Sequence, residues 1–322
     1  MKQLALSLAA ASTIALPSPG FTASALDGTI YGRINVSAIN ADNGTSHTYK
    51  LKSNASRLGI KGQSEIADGL YAIYKAEFEI CVDDGDCKAR TFNQRNIVGG
   101  IRGSFGTIWA GKHDTPTKLA QNKIDLFNDL EGDFKNTFEG ENRVSNIVAY
   151  TSPTMNGFST TVAIISGKRA DVNGDGIDAT GLTDGMSYSL VYNMDNLYMA
   201  IAGDHDIDSQ DLMRVVVKYK IDALKVGIMY QQNEDNVRPK EESGLFVSAA
   251  YQLDERITLK AQYGSIEDDA DGDEEQTLSL GGDYKLAKGT KIYMFYTDNT
   301  DSSIGKLDDE NSTFGLGVEH NF

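Results

Sequence analysis

From residue 26 onward, apolar and polar positions alternate. Ile257, Leu259, Ala261 and Tyr263 fall on one side of an extended segment, with Thr258, Lys260 and Gln262 on the other. The same order runs through Leu245, Val247, Ala249, Tyr251 and Leu253, through Val215, Val217, Tyr219 and Ile221, and through Phe314, Leu316, Val318, His320 and Phe322. A period of two places one face of a strand in an apolar medium and the other against water or polar groups. Segments of roughly ten residues repeat this pattern along the chain, as strands of a barrel or a sandwich do. No stretch of it has helical period. On periodicity alone, a soluble sandwich and a membrane barrel fit equally well.

The connectors separate the two. Short ones stand at residues 66–69, 103–106, 152–157, 194–196, 222–223, 254–256 and 287–289. Long acidic ones alternate with them at 40–49, 81–90, 114–142, 167–184, 204–211, 233–242, 267–275 and 298–311. Seven short turns and eight long loops delimit sixteen strands. An even count, with short turns at one rim and long loops at the other, is the layout of an outer-membrane barrel. Tyr150, Tyr192, Tyr219, Tyr230, Tyr251 and Tyr284 lie near strand ends, where interfacial girdles place aromatics. The expected fold class is therefore all-β, a sixteen-stranded antiparallel transmembrane β-barrel over residues 26–322.

Residues 1–25 are of another kind. Lys2 precedes an apolar run at 4–16, Pro17 and Pro19 break it, and Ala23-Ser24-Ala25 comes after. This is the order of a secretory signal peptide, with cleavage expected after Ala25. It implies export, and no later run of about 18 apolar residues offers a helical span. The chain has 30 basic and 46 acidic residues and a formal charge of −16. Loss of Lys2 with the leader leaves −17. Such a balance excludes nucleic-acid binding through the phosphate backbone. His47, His113, His205 and His320 are scattered, and no G-x-S-x-G, Walker or Rossmann signature is complete, so no enzyme is expected.

Two smaller signals concern loops. Cys81 and Cys87 share one long connector. An even pair in an oxidising envelope reads as a disulfide, whereas zinc would need two more soft ligands and none is near. Asp171, Asn173 and Asp175, with Gly176 next, space oxygen ligands as a calcium loop does, but the twelfth position is Leu182. That segment reads as a weak calcium candidate or as an acidic surface loop. No other cofactor is expected.

Several stretches together resemble the general trimeric porins of Gram-negative outer membranes. Residues 26–33 (LDGTIYGR) are similar to that family's first strand and residues 56–62 (SRLGIKG) to its second. Residues 92–103 (FNQRNIVGGIRG) and 105–112 (FGTIWAGK) resemble the passage into its third loop. Residues 143–153 (RVSNIVAYTSP), with Asn156-Gly157-Phe158, resemble the strand and turn after that loop, and Phe322 matches the terminal Phe. The resemblance implies a long third loop folded into the pore, its acidic groups facing a basic wall.

Residues of both kinds are present. Arg33, Arg57 and Lys61 share parity with Tyr31 on the first two strands, and Arg95 and Arg143 flank the 29-residue connector at 114–142. A connector of that length is no plain turn. Asp125 and Asp129 match the family's acidic pair, and Glu131 and Asp133 come after them, although the family's Pro-Glu-Phe-Gly-Gly run is missing. Asp125 and Asp129 are expected to oppose Arg57 and Arg95 across the narrowest point. The expected function is passive diffusion of ions and small hydrophilic solutes, with a modest cation preference from the acid excess. A substrate-specific channel would call for an aromatic ladder, for which Tyr31, Tyr71 and Trp109 are too few. A structural or adhesive barrel would lack the basic wall. The partners implied are outer-membrane lipid and lipopolysaccharide, two further copies of the chain, and permeant solutes.

Overall fold

The computed structural model describes residues 27–322 except 86, 88–89, 168–180, 182, 238–239, 270–271 and 303–308. Its strands follow the alternation: β1 (Gly28–Asp42), β2 (His47–Ser53), β3 (Arg57–Ala67), β4 (Leu70–Glu79), β5 (Asn93–Gly103), β6 (Gly106–Asp114), β7 (Arg143–Thr151), β8 (Phe158–Ile165) and β9 (Gly185–Met194). The series continues with β10 (Leu197–Ile207), β11 (Gln210–Ile221), β12 (Leu224–Asp235), β13 (Lys240–Gln252), β14 (Ile257–Asp268), β15 (Glu274–Ala287), β16 (Thr290–Ser302) and β17 (Asp309–Asn321). Every pairing is antiparallel, and β1 closes on β17 from Arg33↔Asn321 to Asp42↔Ser312. β2 and β3 both pair with β1, through Val36↔Ser53 and Arg33↔Arg57. They are two halves of one stave, so the barrel has sixteen.

The break within that stave is sealed by polar groups. Ala55 takes a left-handed φ of 48°. Asn54 is buried and its amide donates to Ser37 Oγ at 2.9 Å and Tyr293 Oη at 3.0 Å. Ser56 Oγ accepts from Asn35 N at 2.9 Å and donates to Asn35 O at 3.1 Å. The backbone groups freed by the bulge are thereby partnered.

Burial is inverted relative to a water-soluble barrel. On β15, Thr277 and Ser279 are fully buried, while Leu278 and Leu280 are 42% and 49% exposed. Ser187, Ser189, Gln231, Asn233, Gln262 and Thr297 are buried, while Tyr188, Leu190, Ile201, Tyr230 and Tyr263 are exposed. A continuous apolar outer face of this kind is stable only in lipid. Among the described residues no helix is long and apolar enough to cross a membrane.

Residues 115–142 join β6 to β7. Thr115 caps a short helix α1 (Pro116–Ala120), accepting from Lys118 N, with Pro at its first position. The segment is tied to strands from around the ring. Ala120 O accepts from Tyr198 on β10 at 2.8 Å, and Asn122 O accepts from Lys218 on β11 at 2.7 Å. Gln262 on β14 accepts from Leu126 N at 2.8 Å and donates to Gly132 O at 2.6 Å. Ile124, Phe134 and Phe138 form an apolar cluster with Tyr198, Val216, Met229 and Phe246. A Cβ at Gly132 would lie 2.1 Å from Ser279 Oγ, so this contact with β15 is close enough to demand glycine.

Candidate functional site: a charge cluster between wall and loop

The site begins with a knot inside the loop. Asp125 accepts from Phe127 N at 2.9 Å and Phe134 N at 3.2 Å. Asp133 accepts from Asp129 N at 2.8 Å, Asn128 Nδ2 at 3.2 Å and Lys135 Nζ at 2.9 Å. Both carboxyls are buried. Burial, with Asp133 close by, pushes the Asp125 carboxyl well above its usual range. The structure thus corrects the expected opposition of Asp125 and Arg57. Short carboxylates near free backbone N–H groups cap them, and Asp125 and Asp133 fold the loop rather than face the wall.

Asp129 is the carboxylate that this knot presents. It adopts a left-handed φ of 69° and meets Arg33 Nη2 on β1 and, at 3.4 Å, Arg57 Nη2 on β3. Arg33 and Arg57 are register partners. Like charges directly opposite repel, and a carboxylate between them removes that cost. Burial alone would raise the Asp129 carboxyl, but Arg33, Arg57 and Arg95 outweigh it and hold it below the usual carboxylate range.

Arg95 pairs elsewhere. Its Nε donates to Glu77 Oε1 at 3.0 Å, and its Nη1 lies 3.6 Å from Glu79 Oε2. Glu77 also accepts from Tyr31 Oη at 2.8 Å and lies 3.8 Å from Arg57 and 3.6 Å from Lys75. Arg33 Nη1 is 3.9 Å from Glu319 on β17. Glu131 pairs with Lys52 on β2. Around the wall, Lys260 and Lys291 bracket Asp283, each at 2.9 Å. The outcome is a belt of alternating acid and base from β14 through β17 to β5.

Two expected members of the basic wall lie off this belt. Lys61 is exposed, its Nζ 5.1 Å above the Tyr31 ring. Arg143 binds Asp114 and Asn96, each at 2.9 Å, at the base of the loop. The sequence reading missed Glu77, Glu79, Glu319, Lys52 and Asp283. Their signal was the same alternation: Lys75, Glu77 and Glu79 occupy one parity of β4, with Tyr74, Ala76 and Phe78 on the other.

Cys81 and Cys87 are joined as a disulfide, their Cα atoms 5.3 Å apart. Asp171, Asn173 and Asp175 lie outside the described residues, as does the 1–25 leader. Among the described residues no group of three or more His, Cys, Asp or Glu is placed to hold a metal.

A lipid-facing barrel with a charged belt inside is the arrangement of a channel. The family model for Gram-negative porins matches residues 5–304. The chain is a Gram-negative porin. It is 24% identical to outer membrane porin protein 32 of Delftia acidovorans over 304 residues, 85% of each chain. It is 23% identical to major outer membrane protein P.IB of Neisseria meningitidis serogroup B, covering 98% of this chain and 99% of that one. Among solved structures, an anion-selective porin from Comamonas acidovorans superposes with a TM-score of 0.79 at 19% identity, over 92% of this porin and 99% of that chain. The trimer form of OmpT from Vibrio cholerae superposes with a TM-score of 0.68 at 18% identity, over 92% and 99%. The porin resides in the outer membrane, crossing it with strands.

Proposed function

We propose that this porin is a general diffusion channel for ions and small hydrophilic solutes, narrowed by residues 115–142 lying across its lumen. The observation that carries the reading is Asp129, held by Arg33 and Arg57 on one side while Leu126 and Gly132 bond Gln262 on β14. A segment that touches β1, β3, β10, β11 and β14 together crosses the space they enclose. The wall charges are interleaved rather than segregated, which supports weak selectivity: neighbouring opposite charges cancel beyond a few ångströms. The acid excess lies in the long connectors, at one mouth, and supports a mild preference for cations. The porin of Comamonas acidovorans described as anion-selective shares the fold at 19% identity and does not set the sign here.

Homotrimer assembly belongs to the same proposal. It is supported by the trimer form of OmpT and by the small outward residues Ala72, Ala76, Gly99 and Ala110 on β4 to β6. Residues 1–25 act as the cleaved leader.

The test is a reversal potential in a salt gradient across a planar bilayer. Wild type should prefer cations weakly, and Asp129→Asn should move toward anions, most at low salt where screening is least. An anion-preferring wild type overturns the sign, and an unchanged Asp129→Asn overturns the constriction.

A further inference from the structure

Arg214 on β11 takes no part in the belt, yet among the described residues it is the largest fully buried side chain. A guanidinium is almost never enclosed unless its donors are used. Here Nε and Nη2 donate to Gln231 Oε1 on β12 at 3.0 and 2.8 Å. Nη1 donates to Glu141 Oε1 at 2.8 Å and reaches Thr117 O at 3.5 Å, and Nη2 donates to Glu139 O at 2.7 Å. Its Cζ lies 5.3 Å from the centre of the Phe134 ring. Thr117 belongs to the arm of the loop that leaves β6, and Glu139 and Glu141 to the arm that returns to β7. One wall residue therefore grips both arms.

The backbone is shaped to allow this grip. Gly140, between the two acids, has φ of 91°, and a Cβ there would lie 3.0 Å from Arg214 Nη2 and 2.7 Å from Leu212 Cδ1. Gln231 Nε2 adds a second bond to Glu139 O at 3.2 Å. Among the described residues the Glu141 carboxylate has one other cation in reach, Lys118 Nζ at 4.0 Å. Without Arg214 that enclosed carboxylate keeps only its weaker partner, and two loop carbonyls lose a donor. Groups stranded in this way move until they find water or new donors.

We propose that Arg214 is a positioning residue of the constriction: it clamps both arms of loop 115–142 to β11 and so holds the open channel in one conducting state. The proposal rests on the reading that this loop narrows the pore. With the clamp gone, the tip remains tied to β14 and to Arg33 and Arg57, while the arms exchange between alternative seats. Because the loop lies in the ion path, each exchange is a step in current.

Single-channel recording in planar bilayers tests this, on protein whose heat-modifiable mobility shows a folded barrel. Arg214→Met, which keeps most of the volume, should flicker between sub-conductance levels about tenfold more often than wild type, as expected when a bistable element is released. Arg214→Lys should fall between the two, because one ammonium cannot serve Gln231, Glu139 and Glu141 together. The sign of selectivity should stay that of wild type in both. If Arg214→Met is as quiet as wild type while Asp129→Asn still shifts the reversal potential, the clamp is wrong and the constriction stands. If neither variant differs from wild type, the constriction falls and the clamp with it. Should Arg214→Met fail to fold, Glu141→Gln keeps the shape and removes the ion pair, and a quiet channel in that variant overturns the proposal.

Discussion

Asp129 is kept ionised by three arginines. Its carboxyl is depressed below the usual range by Arg33, Arg57 and Arg95 despite its burial. A depressed carboxyl keeps its charge while exposed acids lose theirs, and gives it up only at lower pH. Lowering the pH to ~4, where ordinary Asp side chains are half protonated, should weaken cation preference by discharging the rim. The difference in reversal potential between wild type and Asp129→Asn should persist there and close only below. If it has vanished by pH ~4, the arginines do not hold this group as described. The same chemistry explains how far this site was legible. Parity alone placed Arg33 and Arg57 on the inner face, since lipid accepts neither. Asp125 was misplaced because a loop carboxylate carries no parity, and only the folded chain shows which one caps backbone N–H groups and which one is displayed.

The strands were legible as elements because lipid and water impose the period of two on each of them. Their ends were less so. Residues 204–211 read as a long polar loop, yet β10 and β11 meet there in a tight turn at Asp208 and Ser209, both with left-handed φ. The stave runs on past the membrane, where Asp and His sit on a strand as readily as on a loop. Polarity marks where the lipid ends, not where the hydrogen bonding does. The break between β2 and β3 was hidden for a related reason, because Asn54 and Ser56 look like turn residues but serve as a buried seal. Asn54→Leu removes the donors to Ser37 and Tyr293 and leaves both buried acceptors without them. It should cost ~1–3 kcal/mol, read as a lower urea midpoint for unfolding from lipid vesicles, with channel conductance preserved. An unchanged midpoint would show that the seal is dispensable.

Closure of the whole barrel depends on the meeting of its two ends, and the seam has its own steric rule. Gly32 N donates to Phe322 O at 2.9 Å, and Phe322 N donates to Gly32 O at 3.1 Å. The Phe322 ring lies over Gly32 so closely that a Cβ would come within 2.3 Å of Cζ, and it would also lie 2.9 Å from the Arg57 carbonyl. Any side chain at 32 therefore displaces the terminal ring, crowds β3, or both. A barrel has no edge only if this seam closes, and an unclosed one exposes unpaired strand groups to lipid. Gly32→Val should accordingly reduce the yield of heat-modifiable barrel on refolding, more than the same change at Gly44, where an added Cβ meets nothing within 4 Å. Although Gly44 has a left-handed φ of 78°, it stands in the hairpin loop between β1 and β2, so its strain is local. Phe322→Ala removes the nearer contact and leaves the Arg57 carbonyl, so the double variant should recover part of the yield and not all of it. That partial recovery is the coupling between the sites, and a double-mutant cycle measures it. Strict additivity of the two losses would mean that the ring and the glycine are independent, and that the seam is held by its backbone bonds alone.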